Sequence, residues 1–207
     1  MKINANLLES DADLYKIIKD AVKKEISRYV KSNLSSVHDE IQSLLIDAIK
    51  NSPEFISLAA YGVGDLAPEF GFVRGSSIQS LLLNEIPNHL SIDIDVNNIS
   101  IKVSFDIPGL ASSSIGSYIS NSNDVEWLKW LLLSGTTPVI SNFQIDYNLS
   151  AAEKRETRSH VAHMIPGGTW AVPSQFAGTI GDNFITRSIE SDSVVSQIER
   201  IVTESLQ

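Results

Sequence analysis

From Leu14 onward the apolar residues return at every fourth position, through Ile18, Val22, Ile26 and Val30, while Lys16, Lys19, Lys23, Lys24 and Arg28 fill much of the rest of each turn. A four-residue repeat keeps side chains on one side of a 3.6-residue helix, so the spacing predicts a helix entered under an Asp11 or Asp13 cap. The face resumes after Ser32-Asn33 as Leu34, Val37, Ile41, Leu44 and Ala48, which predicts one long helix or two nearly continuous ones. At about 1.5 Å of rise per residue such a helix outreaches a small core, and neighbouring subunits would cover the remainder. The lysine stripe reads as a solvated face.

Ser52 and Pro53 carry the signature of a cap and a first helical position, and Phe55 to Tyr61 form the apolar run behind them. Another helix is predicted from Ser77 to Glu85, closed by Pro87. The period then changes to two. Leu90, Ile92, Ile94 and Val96 alternate with Ser91, Asp93 and Asp95, Ile99, Ile101, Val103 and Phe105 answer them, and Asn97-Asn98 lies between, which predicts a β-hairpin with one polar face. The serine-rich segment 108–123 is expected to be an exposed loop. Asn123 or Asp124 is expected to cap a helix from Val125 to Leu133, ended by Gly135, with Trp127 and Trp130 on one face. Val139 to Tyr147 reads as a third strand that extends the hairpin into a sheet. Gly167-Gly168 is expected to turn a second hairpin between His163–Ile165 and Thr169–Val172. Asp182-Asn183 would cap Phe184 to Ile189, and Ser191 or Ser193 would open a last helix with Val194, Ile198, Ile201, Val202 and Leu206 inward. The fold class is therefore α+β: a small antiparallel sheet flanked by helices, with a long N-terminal helix, divided into an arm over 1–52 and a core over 53–207.

Composition narrows the function. The 207 residues include 43% hydrophobic and 20% charged side chains, as in an ordinary globular protein, and no cysteine, which removes thiolate metal sites. No apolar run suggests a leader or a membrane span, so a soluble, cytosolic protein is expected. Of the 25 acidic and 16 basic residues, nine acids and only three bases fall within 61–150. That balance disfavours wrapping nucleic acid, since phosphate binding needs clustered cations, but suits a passage along which DNA slides without sticking.

Candidate chemistry is thin. His160 and His163 with Asp182 could bind a metal only if the segment were helical, which its composition opposes. Asp93, Asp95 and Asp106 look like solvated strand acids, and Gly62-Gly64 lacks the lysine of a phosphate loop. Ser159, His163 and Asp182 or Asp146 could supply a hydrolytic triad, yet no glycine-flanked nucleophile is present. No catalytic residue, metal or cofactor is expected; the alternative is a metal-dependent or serine hydrolase of a phage or its host.

The stretch Arg158–Ile189 holds four of the eleven glycines and two of the seven prolines around Trp170, a composition suited to a shaped surface. The segments follow in this order: a long N-terminal helix; Leu66-x-x-Glu69-Phe70-Gly71; a hairpin; Glu126-Trp127-Leu128-x-Trp130-Leu131-Leu132-x-x-Gly135; Arg158-Ser159-x-x-Ala162-x-Met164; and Trp170-x-Val172-Pro173-x-x-Phe176-Ala177-Gly178-Thr179-x-x-Asp182-Asn183-Phe184-Ile185-x-Arg187. In that order, from about residue 50 onward, the chain resembles the neck and tail-completion proteins of tailed bacteriophages. The resemblance implies a non-enzymatic virion subunit that joins the DNA-filled head to the tail as a ring, assembled in the host cytoplasm. Its implied partners are further copies of itself, portal or adaptor proteins, tail-tube or tail-terminator proteins, and DNA passing through the lumen without tight binding, with no membrane. By that analogy Trp170, Pro173, Phe176, Asn183 and Arg187 shape the core and the ring contact. Trp130, Ile18, Val22, Ile26 and Arg158 are further expected at the subunit interface. The serine-rich loop has no counterpart in this pattern.

Overall fold

A computed structural model of the chain describes residues 11–95, 100–120 and 123–204. The Asn97-Asn98 turn, Val96, Ile99, Leu206 and the side chains of Ile26 and Val30 lie outside the described residues. Helix α1 spans Asp11–Lys50. Its second half packs on the rest of the chain: Val37, Ile41, Leu45 and Ile49 are buried at successive four-residue steps, whereas residues 12–25 are exposed. The later part of the segment assigned to an arm is thus built into the body.

Helix α2 (Pro53–Ser57) starts as its sequence signals, with Ser52 Oγ accepting the Phe55 N–H at 3.2 Å and proline in the first turn. Helices α3 (Leu66–Glu69) and α4 (Ile78–Glu85) follow, and a 3₁₀ turn (Ile86–His89) absorbs Pro87. Strands β1 (Leu90–Asp95) and β2 (Ser100–Phe105) form the expected hairpin. Its register sets Ile92 opposite Val103 and Ile94 opposite Ile101, with Asp93 opposite Lys102, so apolar residues share one face and polar residues the other. The apolar face covers Val37, Ile41 and Leu45 of α1 together with Val194.

The serine-rich segment is not the exposed loop that its composition suggested. Asp106 accepts the Gly109 N–H at 2.9 Å and caps α5 (Ile107–Ala111), which buries Ile107, Leu110 and Ala111, and a small hairpin then pairs β3 (Tyr118–Ser120) with β4 (Asn123–Val125). Asn123 and Asp124 consequently belong to a strand rather than a helix cap, and α6 (Trp127–Leu133) begins after Glu126. Pairing with β3 outweighs a local capping preference.

Strand β5 (Ile140–Asp146) does not extend the first hairpin. It pairs antiparallel with β6 (His163–Trp170), and the two are linked through α7 (Ala151–Glu156), whose entry is closed by a Ser150–Glu153 capping box. Gly167-Gly168 likewise does not turn a hairpin: β6 runs straight through it, and the extra residue is taken up by a register shift opposite Asn142, with φ of 110° at Gly167, 73° at Gly168 and 64° at Asn142. Among the described residues there are therefore three two-stranded antiparallel sheets between the helices rather than one three-stranded sheet. Helices α8 (Phe184–Ile189) and α9 (Asp192–Glu204) close the fold. In α9 Val194 is buried, and Ile198 and Ile201 pack beside it against α1.

Candidate interaction groove

The main core gathers α6 and the Arg158–Ile189 stretch around one aromatic group. Trp127, fully buried, donates its Nε1–H to the Ile115 carbonyl at 2.7 Å and meets Phe70 and Phe72 edge-on, with centroids 5.9 and 5.2 Å away. Trp170, 5% exposed, stands edge-on to Phe70 and to Trp130, each at 5.8 Å. One aromatic cluster thus links the short helix to the glycine-rich stretch, with Phe176 and Phe184 in the same core.

Glu69 holds the cluster together. One carboxylate oxygen accepts the Tyr147 hydroxyl at 2.5 Å and the other accepts Trp170 Nε1–H at 2.6 Å, so both oxygens have donors. Burial, followed by this bond and the adjacent negative charge, pushes the Tyr147 phenol far above its ordinary value. Sequence reading quoted Glu69 only as part of a motif. Its role depends on residues 78 and 101 positions away, and no local signal marks it.

Glu69, Phe70, Trp130 and Trp170 border an open groove of about 650 Å³ between the β3–β4 hairpin and the β5–β6 pair. Trp130, Ile140, Phe143, Met164 and Trp170 supply its apolar surface, with Phe143 and Met164 42% and 40% exposed. At one end the Arg158 guanidinium lies 4.8 Å from the Tyr118 ring centroid, a cation–π contact, and the Tyr118 hydroxyl donates to the Phe70 carbonyl. Burial raises the Tyr118 phenol above its ordinary value, and the charge of Arg158 opposes the shift. Gly71, at φ 66°, leaves the space this hydroxyl uses: a Cβ there would sit 3.3 Å from it.

Of the residues expected at an interface, Trp130 and Arg158 line this groove, whereas Ile18 and Val22 are exposed on α1, 54% and 51%. Ile26 has its side chain outside the described residues. Trp170 and Asn183 are buried, so their side chains serve contacts within the chain. Asn183 Oδ1 accepts the Ile185 and Thr186 N–H groups, and its amide donates to the Thr179 carbonyl, fixing the start of α8. Gly178 is needed beside it: a Cβ would lie 2.8 Å from the Leu131 carbonyl oxygen, and the Gly178 carbonyl accepts the Gly135 N–H at 2.8 Å just after α6. Phe176 is half-buried against the core. Arg187 bridges Glu54 at 2.5 Å and Asp182 at 2.7 Å, tying α8 to α2; burial opposes its charge, but the two carboxylates outweigh that and hold the guanidinium above its ordinary value.

The hydrolytic candidates are placed differently. Ser159 is 1% exposed; its hydroxyl donates to the Ala162 carbonyl and accepts two backbone N–H groups, so it closes a turn. His160 is exposed with φ 59°, and His163 lies on β6. The Gly62 N–H is turned onto Asp65 at 2.6 Å. Among the described residues no group of three His, Asp or Glu side chains is arranged to hold a metal ion, and no helix is long and apolar enough to cross a membrane. No protein-family model, curated protein or solved structure matches this chain.

Proposed function

We propose that this chain is a structural subunit of a tailed-phage neck, acting by shape as one member of a ring that joins the DNA-filled head to the tail. The observation that carries the reading is the convergence of separated motif residues on one place. Glu69, Phe70, Gly71, Trp130, Arg158, Met164 and Trp170 come from four segments and meet at a single groove. The second half of the late motif, Asn183 and Arg187, fixes α8 and ties it to α2. A fixed aromatic framework beneath a partly apolar open groove suits an interface, where a few buried aromatics dominate binding and a ring hides what a free monomer leaves exposed. In this reading the acid-rich segment 61–150 helps form a lumen wall that repels phosphate and lets DNA pass.

The experiment is genetic and structural. Removing this chain from a phage that encodes it should yield DNA-filled heads and free tails that fail to join, and supplying the protein should restore whole particles. Density for this fold should then be found between head and tail. Whole, infectious particles formed without the chain overturn the reading.

A further inference from the structure

Strand register decides which charges face the groove beside Trp130. Tyr118 and Val125 stand opposite each other in the β3–β4 hairpin and both pack on the core, so the next pair, Ile119 and Asp124, lies on the other face, where Ile119 is 70% exposed. Asp124 borders the groove, but its carboxylate is turned away. On β6, Met164 lies opposite Ile145, which packs on the core, so His163 is on the far face with Asp146 opposite it. Both oxygens of Glu69 are taken by Tyr147 and Trp170. Arg158 remains. Its guanidinium lies 4.8 Å from the Tyr118 ring centroid at the end of the groove, and among the described residues no oxygen of the chain accepts from it. Stacking on a ring face orients the planar guanidinium and leaves its N–H edge open to an anion.

We propose that the groove binds a short extended peptide of another protein, one that sets a carboxylate on Arg158 and an aromatic or aliphatic side chain on exposed Phe143 and Met164. Arginine pairs with a carboxylate through two parallel N–H bonds, and the apolar side chain would cover surface that water now meets. A polyanion is a poorer occupant, because residues 61–150 around the groove hold nine acids and three bases and repel a run of phosphates. The volume of about 650 Å³ lies within the roughly 300–1,000 Å³ of a site for a ligand the size of a short peptide. Strand β5, which borders it, is paired on one edge alone among the described residues, so an added segment can gain main-chain hydrogen bonds. Ser120 and Ser141 on the rim suit peptide amides better than an acyl chain. A peptide site deepens the reading of this groove as an interface and rests on it, but not on the neck.

The test probes an array of random heptapeptides with the full chain and measures the affinity of the selected peptides by calorimetry. Selected peptides are expected to carry Asp or Glu close to Leu, Phe or Trp. Replacing that acid by its amide should weaken binding about tenfold or more, as should Arg158→Gln, with Arg158→Lys between it and the parent. Phe143→Ser should weaken binding as well. If Arg158→Gln does not fold, the acid-to-amide peptide decides on the unaltered protein. An array that selects nothing, or peptides that bind as well without their acid, overturn the site. Binding of oleate in place of peptides assigns the groove to an amphipathic lipid, and self-association abolished by Phe143→Ser without peptide binding assigns it to a second copy; either overturns the peptide site. Infectious particles formed without the chain overturn the neck reading and leave a peptide site so measured standing.

Discussion

Truncating the two neighbouring tryptophans of α6 should separate a core role from a surface role. Trp127 is fully buried, meets two phenylalanine rings and satisfies the Ile115 carbonyl, so Trp127→Ala removes a large side chain and a hydrogen bond at once. Large aromatic-to-alanine changes in a core cost about 3–5 kcal/mol, a large share of the roughly 5–15 kcal/mol that holds a typical domain together. Trp127→Phe retains a ring but leaves the carbonyl without its donor, and should cost about 1–3 kcal/mol. Trp130 is half-buried at the groove and has one ring neighbour, Trp170, a contact worth about 0.5–1.5 kcal/mol beyond area burial. Trp130→Ala should therefore leave a folded subunit that is only mildly less stable, while any assembly through the groove weakens. Urea unfolding followed by far-UV circular dichroism gives the stabilities, and light scattering gives the size. A Trp130→Ala protein as destabilised as Trp127→Ala, or a Trp127→Ala protein within about 1 kcal/mol of the parent, refutes the division between core and groove.

Glu69→Gln should destabilise the fold by about 1–3 kcal/mol, because an amide offers one acceptor oxygen where Tyr147 and Trp170 each need one. Urea unfolding of Glu69→Gln, Tyr147→Phe and the double variant should show strong non-additivity, and additive effects would sink the assignment of Glu69 as their common acceptor. The Tyr147 phenol also predicts a pH dependence. Its folded value is raised above the ordinary value of 10.0, so its stabilising contribution is complete below about pH 10 and is lost as the pH climbs from there toward the folded value. The stability difference between the parent and Tyr147→Phe should shrink across that window, and a difference that stays constant with pH contradicts the buried neutral phenol.

Local chemistry was enough to place much of the fold. The β1–β2 hairpin follows from strict alternation, because a two-residue period and close sequence neighbours leave one register in which apolar residues meet apolar ones. Ser52 with Pro53, and Asn183 before Phe184, mark helix starts through groups within three residues of each other. Where the sequence alone misled, a distant partner made the choice. Asp124 has the chemistry of a cap, yet Ile119 pairs with it across a small hairpin. The segment after Pro108 is polar enough to be a loop, yet Leu110 has a core to enter and Trp127 needs the carbonyl of Ile115. Strand β5 was legible as a strand, but its pairing with β6 rather than with the first hairpin is a long-range decision on which alternation is silent.

The candidate groove divides in the same way. Its aromatic residues were visible as a composition, and the motif order named most of them. Which were walls and which were filling could not be read from the sequence, because burial is a property of neighbours: Trp170 is enclosed by Phe70, Trp130 and Glu69, while Trp130, three residues from buried Trp127 on the same helix, opens onto solvent. On α1 the repeat by itself predicted a single apolar face from Leu14 to Ala48. A four-residue step gains about 40° on each repeat, so over the length of the rod the face turns to the far side, and only the tertiary packing of Ile41, Leu45 and Ile49 fixes which part of the repeat is core.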